Sequence, residues 1–402
     1  MEFLSATDST VVALVNKFKE EFGYAPAYAG RAPGRVNLIG EHIDYCGFSV
    51  FPMALEGKYT TSVMTPNDSG KLRMRHLESD KHKGYDVDIA PYNELKSEGW
   101  AKYVESSVKT FCEFANYKLG GLDIVIYGTV PLASGLSSSA ALICSITTCL
   151  NMIGNCNVPK DKLVDASVEA EHRVGVNCGG MDQAISIFGQ EGFACIISFQ
   201  PKITAKPVKL PPAHFIIAHS HQNAAKVETA EDCYNYRVIE VKRAAELMMP
   251  GAKNIGEVVE KYGWDKALEL AKGLPEREGK VVIRDRAVHV VSEAHRVIMM
   301  EGASFQKWGE LMYESHASCR DLYHCSCEAL DALVEAGRKN GADGGRLTGA
   351  GWGGCTVFML APEKNPDEFI EALKRDYYTP RKIENPIVFA TKPGHGAAAI
   401  KL

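Results

Sequence analysis

Arg31-Ala-Pro-Gly-Arg-Val-Asn-Leu-Ile-Gly-Glu-His-Ile-Asp-Tyr45 is the stretch on which the reading of this chain turns. Between Gly34 and Tyr45 it gathers a guanidinium, a histidine and two carboxylates: Arg35, Glu41, His42 and Asp44. A hydrophobic core has no use for such a set. A site that grips a neutral, hydroxyl-covered ligand needs donors and acceptors aimed in several directions at once. Gly34 and Gly40 supply backbone freedom on either side. The alternative reading is a solvated loop that carries charges by chance, since most charged side chains are exposed.

Further along, Pro131-Leu-Ala-Ser-Gly-Leu-Ser-Ser-Ser-Ala-Ala141 lies between a β-branched strand pattern at 122–127 and an Ala-rich helical pattern at 140–152. Serines and a glycine at a helix start present backbone N–H groups, hydroxyls and the positive end of the helix dipole, which together suit a phosphate. The P-loop spacing of Gly-x-x-x-x-Gly-Lys-Ser/Thr is absent, and a Ser-rich N-cap is the plainer explanation. Gly344-Gly-Arg-Leu-Thr-Gly-Ala-Gly-Trp-Gly-Gly354 puts six glycines into eleven residues ahead of an apolar strand, so that bare backbone can approach another loop or a ligand. A flexible hairpin would look the same. Cys178-Gly-Gly-Met-Asp-Gln183 sets Asp182 after two glycines, at the tip of a tight turn or as a helix cap.

The first segment resembles the sugar-recognition signature of galactokinases, a branch of the GHMP small-molecule kinases, and the second and third match the phosphate-binding and glycine-rich motifs of that superfamily in the same order. The resemblance runs from about residue 28 to Phe389-Ala-Thr-Lys-Pro-Gly394. It implies an α+β, two-lobed fold, with an S5-like N-terminal domain over 1–210 and a ferredoxin-like C-terminal domain over 211–402, the active site in the cleft between them. It also implies Mg-ATP-dependent phosphorylation of the C1 hydroxyl of galactose. By the same resemblance, Asp182 and Arg35 are the catalytic pair, and Arg35, Glu41, His42, Asp44, the Gly179 backbone, Asp182 and Tyr234 bind the sugar. Gly135, Ser137, Ser138 and Ser139 take the phosphates, and Trp100 lies near the adenine unless it is simply a core aromatic. Ser139 and Glu171 hold Mg²⁺ unless Glu171 is a solvated helix residue. A guanidinium beside a carboxylate weakens it as a base, so Asp182 is expected to orient the hydroxyl and accept its proton late, in a reaction that asks mainly for alignment and charge stabilisation.

Two readings compete. N-acetylgalactosamine kinases share nearly all these residues, and Tyr234 is the one position that favours galactose. A galactose sensor without turnover would lose residues from the Ser-Ala segment, whereas Ser139 and Ala140 are present.

Bulk properties agree with an enzyme of two lobes. A chain of 402 residues exceeds what one core usually serves. Hydrophobic residues make up 46% and charged ones 24%, an ordinary soluble composition. The net charge of −5, without a long basic run, argues against nucleic acid or an anionic membrane as partner. Twelve cysteines without a repeated spacing fit a reducing, cytoplasmic setting, and Cys325-Ser-Cys327 is too tight for a zinc knuckle. No leader pattern and no apolar run near the ~20 residues that span a bilayer are visible. A monomer is expected.

The periodicity predicts a packing helix over 8–22, strands at 60–64, 85–89, 122–127, 193–199 and 215–218, and helices at 140–152 and 160–173. In the second half it predicts helices at 227–248, 286–300, 305–317 and 327–339, and strands at 355–360 and 386–390 with a helix between. Helices and strands mix without a βαβ period, which favours α+β over a Rossmann sheet. The charged cluster at 276–280 reads as a solvated loop.

Overall fold

A computed structural model describes residues 3–222 and 234–402. The first half is organised by a six-stranded sheet. From one edge its strands are Ala398–Lys401, Tyr28–Asn37, Pro52–Pro66, Leu122–Gly128, Lys71–His76 and Tyr85–Asp88. All neighbours are antiparallel except Lys71–His76 beside Leu122–Gly128. Alternate residues face opposite sides of a strand, and the sheet uses both sides. Ala29, Val63 and Val125 pack with Val11, Leu14 and Phe18 of the helix Ser9–Phe22. Met64, Ile124 and Ile126 turn the other way, into a core shared with the helices Gly99–Phe114, Ser138–Ile153 and Lys160–Val174. The first helix is capped by Asp8, which accepts from the Thr10 and Val11 amides at 2.9 and 3.2 Å, and its other oxygen and Oδ1 hold the buried Arg31 guanidinium.

A second, four-stranded antiparallel sheet runs Gly344–Leu347, Cys355–Leu360, His214–His219, Val388–Thr391. Ile216, Ala218, Phe358 and Leu360 form one small core with Leu333, Phe369, Tyr377 and Tyr378. Phe215, Ile217, Val357 and Met359 face the opposite way, into the same large core that serves the first sheet. One continuous apolar body therefore joins the two lobes, and the Phe51 ring sits 5.4 Å from that of Trp308 across it. The last strand, Ala398–Lys401, returns to the first sheet beside Tyr28–Asn37.

Most of the expected elements are present, several with extended ends: Pro52–Pro66 for the strand at 60–64, Ser138–Ile153 for the helix at 140–152. The helix expected over 227–248 is seen as Asn235–Met248, its earlier part lying outside the described residues. The cluster at 276–280 is exposed and forms a short hairpin, Arg277–Glu278 with Val281–Val282. Several elements were not anticipated, among them the strand Lys71–His76 and the helices Ile255–Tyr262 and Trp264–Lys272, and three more bear on the motifs and the core around them. The opening motif begins as the strand Tyr28–Asn37, with a bulge between Pro33 and Arg35. Gly99–Phe114 is a helix whose pattern is hidden by polar residues it buries. Glu105 and Lys109 are fully enclosed and pair at 2.9 Å, and Lys109 also donates to the Glu94 carbonyl at 2.7 Å. Asp182 is not at the tip of a turn but in the first turn of the helix Met181–Phe188, entered through Gly180 at φ +104°.

No helix among the described residues is long and apolar enough to cross a membrane. The eleven described cysteines are all unpaired thiols.

Candidate active site

Gly34 is where the sugar motif meets the serine loop. A Cβ there would stand 2.7 Å from the Leu136 carbonyl and 3.0 Å from Val130, so only glycine lets the two segments touch. The Arg35 amide donates to that same carbonyl at 3.1 Å. The Arg35 side chain, 1% exposed, donates through Nε and Nη2 to Asp182 Oδ1 at 2.9 and 2.8 Å, and through Nη1 to the Gly135 carbonyl. One guanidinium thus ties the candidate catalytic carboxylate to the serine loop. Arg35 and Asp182 line a cavity with Glu41, His42, Asp44 and Tyr234, closed from the second lobe by Gly349 and Ala350.

Asp44 sits against Gly179. Any side chain at 179 would run into the Asp44 carboxylate and come within 2.7 Å of the Tyr45 amide, so bare backbone is required there. Tyr234 is buried beside Asp44 and Asp182, with its ring 5.5 Å from that of His42. Burial and these carboxylates push its hydroxyl well above the usual phenol range, so it stays a hydrogen-bond donor at neutral pH.

Glu41 has a second occupation. Its Oε1 accepts from Arg346 Nη1 at 3.2 Å and from the Gly349 amide at 2.8 Å, and its Oε2 from Asn37 Nδ2 at 3.0 Å. Arg346 also lies 3.6 Å from Glu293, which accepts from the Gly40 amide at 2.9 Å, Ser315 at 2.6 Å and Arg296 at 2.9 Å. Burial alone would push the Glu293 carboxyl up, but the charges of Arg296 and Arg346 outweigh it and hold it at about 2. Arg346 and Glu293 escaped the sequence reading. Arg346 lies within the glycine-rich motif that was read for its glycines, and Glu293 lies in the helix Arg284–Met300 with no local signal of a role.

In the serine loop, Ser137 adopts a left-handed conformation at φ +60° and caps Ser138–Ile153 without a side-chain bond. Its Oγ is buried and has no hydrogen-bond partner. A buried orphan hydroxyl beside the free amides of a helix start suits an incoming phosphate oxygen. The loop is backed by the glycine-rich turn: Gly349, at φ +85°, has no room for a Cβ, which would lie 2.5 Å from the Gly135 carbonyl. Ser139 Oγ donates to Glu171 Oε1 at 2.7 Å, and Glu171 Oε2 is held by Gln183 and, at 3.5 Å, by Cys178. Glu171 is fully buried rather than solvated. A hydroxyl and a buried carboxylate in contact at the phosphate end of the site are a donor set that fits Mg²⁺, which takes few protein oxygens.

Trp100 stands apart from the sugar cavity, near the start of Gly99–Phe114, with its ring 5.7 Å from His76 and 6.3 Å from Tyr85 and its buried Nε1 unpartnered. His76, Glu78 and His82 come together nearby. His76 Nδ1 accepts the Glu78 amide at 3.1 Å, so the ring proton is on Nε2 and the ring is poorly prepared to ligate a metal.

Three family descriptions match the chain. Residues 16–65 match the galactokinase galactose-binding signature, 102–190 the GHMP kinases N terminal domain, and 299–379 the GHMP kinases C terminal domain. The chain is 32% identical to the galactokinase of Saccharomyces cerevisiae over 97% of its own length and 94% of that protein. It is 32% identical to that of Dictyostelium discoideum over 94% and 91%. Its structure is similar to that of Lactococcus lactis galactokinase complexed with galactose, with a TM-score of 0.85 at 30% identity, covering 97% and 100% of the two chains. Mevalonate kinase of Methanococcus jannaschii, at 20% identity and a TM-score of 0.61, shares the fold.

Proposed function

Since the chain belongs to the galactokinases of the GHMP kinase superfamily, and so is an ATP- and Mg²⁺-dependent sugar kinase, we propose that it phosphorylates the C1 hydroxyl of galactose at the Arg35–Asp182 pair. The observation that carries this assignment is the double attachment of Arg35, to Asp182 on the sugar side and to Gly135 on the phosphate side. It sets the distance between the hydroxyl to be phosphorylated and the phosphates, which is the alignment on which phosphoryl transfer depends.

Asp182, paired with a cation, is a weak base. It orients the C1 hydroxyl and takes its proton as the new bond forms, while Arg35 holds the carboxylate in place. Asp44 and the Gly179 backbone receive the ring hydroxyls, and Tyr234 donates to the sugar from the second lobe. Tyr234, Gly349 and Ala350 cover the cavity, which keeps water from competing for the phosphoryl group. Ser137 and the amides that open Ser138–Ile153 cradle the phosphates, and Ser139 and Glu171 hold the metal, which when bound spreads the charge of the β- and γ-phosphates. We place the division between the lobes near residue 210, after the hairpin Phe193–Ser198 and Thr204–Lys209.

The Tyr234 hydroxyl favours galactose over N-acetylgalactosamine. Steady-state ADP release with Mg-ATP and galactose, N-acetylgalactosamine or glucose in parallel tests the assignment. Galactose-dependent turnover, lost in Asp182→Ala, is expected. A clear preference for N-acetylgalactosamine would move the substrate, and binding without turnover would make the protein a sensor.

A further inference from the structure

Resting on the sugar-site reading, we propose that Tyr323 is a positioning residue: through Tyr45 it holds His42 as the Nε2–H tautomer and locks the sugar loop onto Ala350.

His42 has both ring nitrogens engaged by the protein. Nε2 is 2.8 Å from the Ala350 carbonyl, and Nδ1 is 2.8 Å from the Tyr45 hydroxyl. A carbonyl only accepts, so Nε2 carries a proton. In the neutral ring Nδ1 is then an acceptor, and Tyr45 donates to it. Having given its single proton, the Tyr45 hydroxyl must accept, and the Tyr323 hydroxyl at 2.8 Å donates to it. The chain therefore has one direction, Tyr323 to Tyr45 to His42 to Ala350, and it leaves the second lobe, crosses the first and returns.

Its starting point is rigid. Tyr323 is fully buried, its carbonyl accepts from Arg237 Nε at 3.1 Å, and its ring centroid lies 4.4 Å from that of His289, the two planes tilted by 37°. Its end point is also fixed, because the neighbouring Gly349 amide donates to Glu41 and packs on Gly135. His42 has φ +61°, a conformation a non-glycine residue keeps only when its surroundings hold it there. The ring anchored at both ends supplies that hold. His42 thus serves the sugar by setting the backbone from Glu41 to Asp44.

The test has two arms. In full-length protein labelled with ¹⁵N-histidine, long-range ¹H–¹⁵N spectra at neutral pH, assigned with His42→Gln, are expected to show the Nε2–H tautomer with a hydrogen-bonded Nδ1. In Tyr45→Phe the Nδ1 signal is expected to move to that of an unbonded nitrogen. An Nδ1–H tautomer or an imidazolium overturns the proposal, and this arm needs neither turnover nor a knowledge of the sugar. In the kinetic arm, Tyr323→Phe is expected to raise the KM for galactose roughly tenfold, the worth of one buried hydrogen bond, with kcat and the KM for ATP nearly unchanged. Tyr45→Phe combined with Tyr323→Phe is expected to be no worse than Tyr45→Phe alone, since both act in one chain. Additive effects, or equal losses for sugar and ATP, overturn it. Should no sugar support turnover in the unsubstituted protein, the functional assignment fails while the spectra still decide the chain.

Discussion

Two buried guanidinium–carboxylate assemblies lie on either side of Glu41, and they are built alike but do different work. Arg35 and Asp182 line the cavity and reach the phosphate loop. Arg346 and Glu293 lie behind it, with Glu293 bonded to Gly40, Ser315 and Arg296. Glu41 belongs to both, since it lines the cavity while Arg346 and Gly349 hold it from the second lobe. A buried ion pair is thus not in itself a mark of chemistry. The first pair faces the substrate, whereas the second fastens the sugar loop to the second lobe, and breaking a pair of that kind leaves an uncompensated charge in the interior.

The comparison breaks most sharply if the two pairs are disrupted in parallel. Asp182→Asn is expected to lower kcat by roughly 10²–10⁴, the usual worth of a positioned acid–base group, with a smaller stability loss than Glu293→Ala because the Asn amide oxygen still accepts from the buried Arg35. Near-normal turnover in that variant would remove Asp182 from the mechanism. Glu293→Ala is expected to show the opposite division. It strips Arg296 of its partner and leaves Arg346 with Glu41 alone, and costs roughly 3–5 kcal/mol of unfolding free energy by denaturant titration, while the folded fraction retains turnover. If Glu293→Ala instead abolished turnover at full stability, the distinction between the pairs would collapse.

A smaller effect sharpens the same contrast from the phosphate side. Gly349 is both a donor to Glu41 and the surface on which Gly135 rests. Gly349→Ala puts a methyl into the Gly135 carbonyl at a left-handed φ, a strain of about 2–3 kcal/mol. Because the contact is with the phosphate loop, the expected readout is a raised KM for ATP that exceeds any change in the KM for galactose. A change confined to galactose would mean that the turn serves the sugar loop alone.

How far the sequence carried this picture depends on whether function was written in local pattern. The three motifs were legible because glycines, serines and charges sit in runs, and the structure brings Arg35, Asp182 and Gly135 into direct contact. Ser139 and Glu171, thirty-two positions apart, meet at 2.7 Å. What escaped is long-range. Nothing near Glu293 announces that it will receive the Gly40 amide, and Tyr323, between the helices expected at 305–317 and 327–339, reads as one more aromatic until the fold sets it against Tyr45. The helix Gly99–Phe114 was hidden for a related reason, since its buried Glu105–Lys109 pair interrupts the apolar stripe by which helices are found. The strand Tyr28–Asn37 was hidden by its own function, with Arg31, Pro33, Gly34 and Arg35 obscuring the alternation.

The smallest effect distinguishes the fastening assembly by its response to pH. His289 lies in that assembly, with Nε2 3.2 Å from the Glu41 carbonyl and Nδ1 2.8 Å from Ser318. Burial lowers it to about 4, against the opposing pull of Glu293, with Arg296 and Arg346 adding to the decrease. The unfolded chain therefore takes the proton first, near the ordinary value of about 6.5. Stability is complete above that pH and is lost as pH falls through the interval down to about 4. By pH 5.5 the contribution of this one group is a loss of about 1.5 kcal/mol. Comparing denaturant unfolding at neutral pH and at pH 5.5 for the unsubstituted protein and for His289→Gln isolates it, because every other histidine titrates in both. The variant is expected to lose less stability over the interval. An identical loss would show that His289 takes up its proton in the folded state as readily as in the unfolded one, and that the assembly behind the sugar loop is less closed to charge than its geometry indicates.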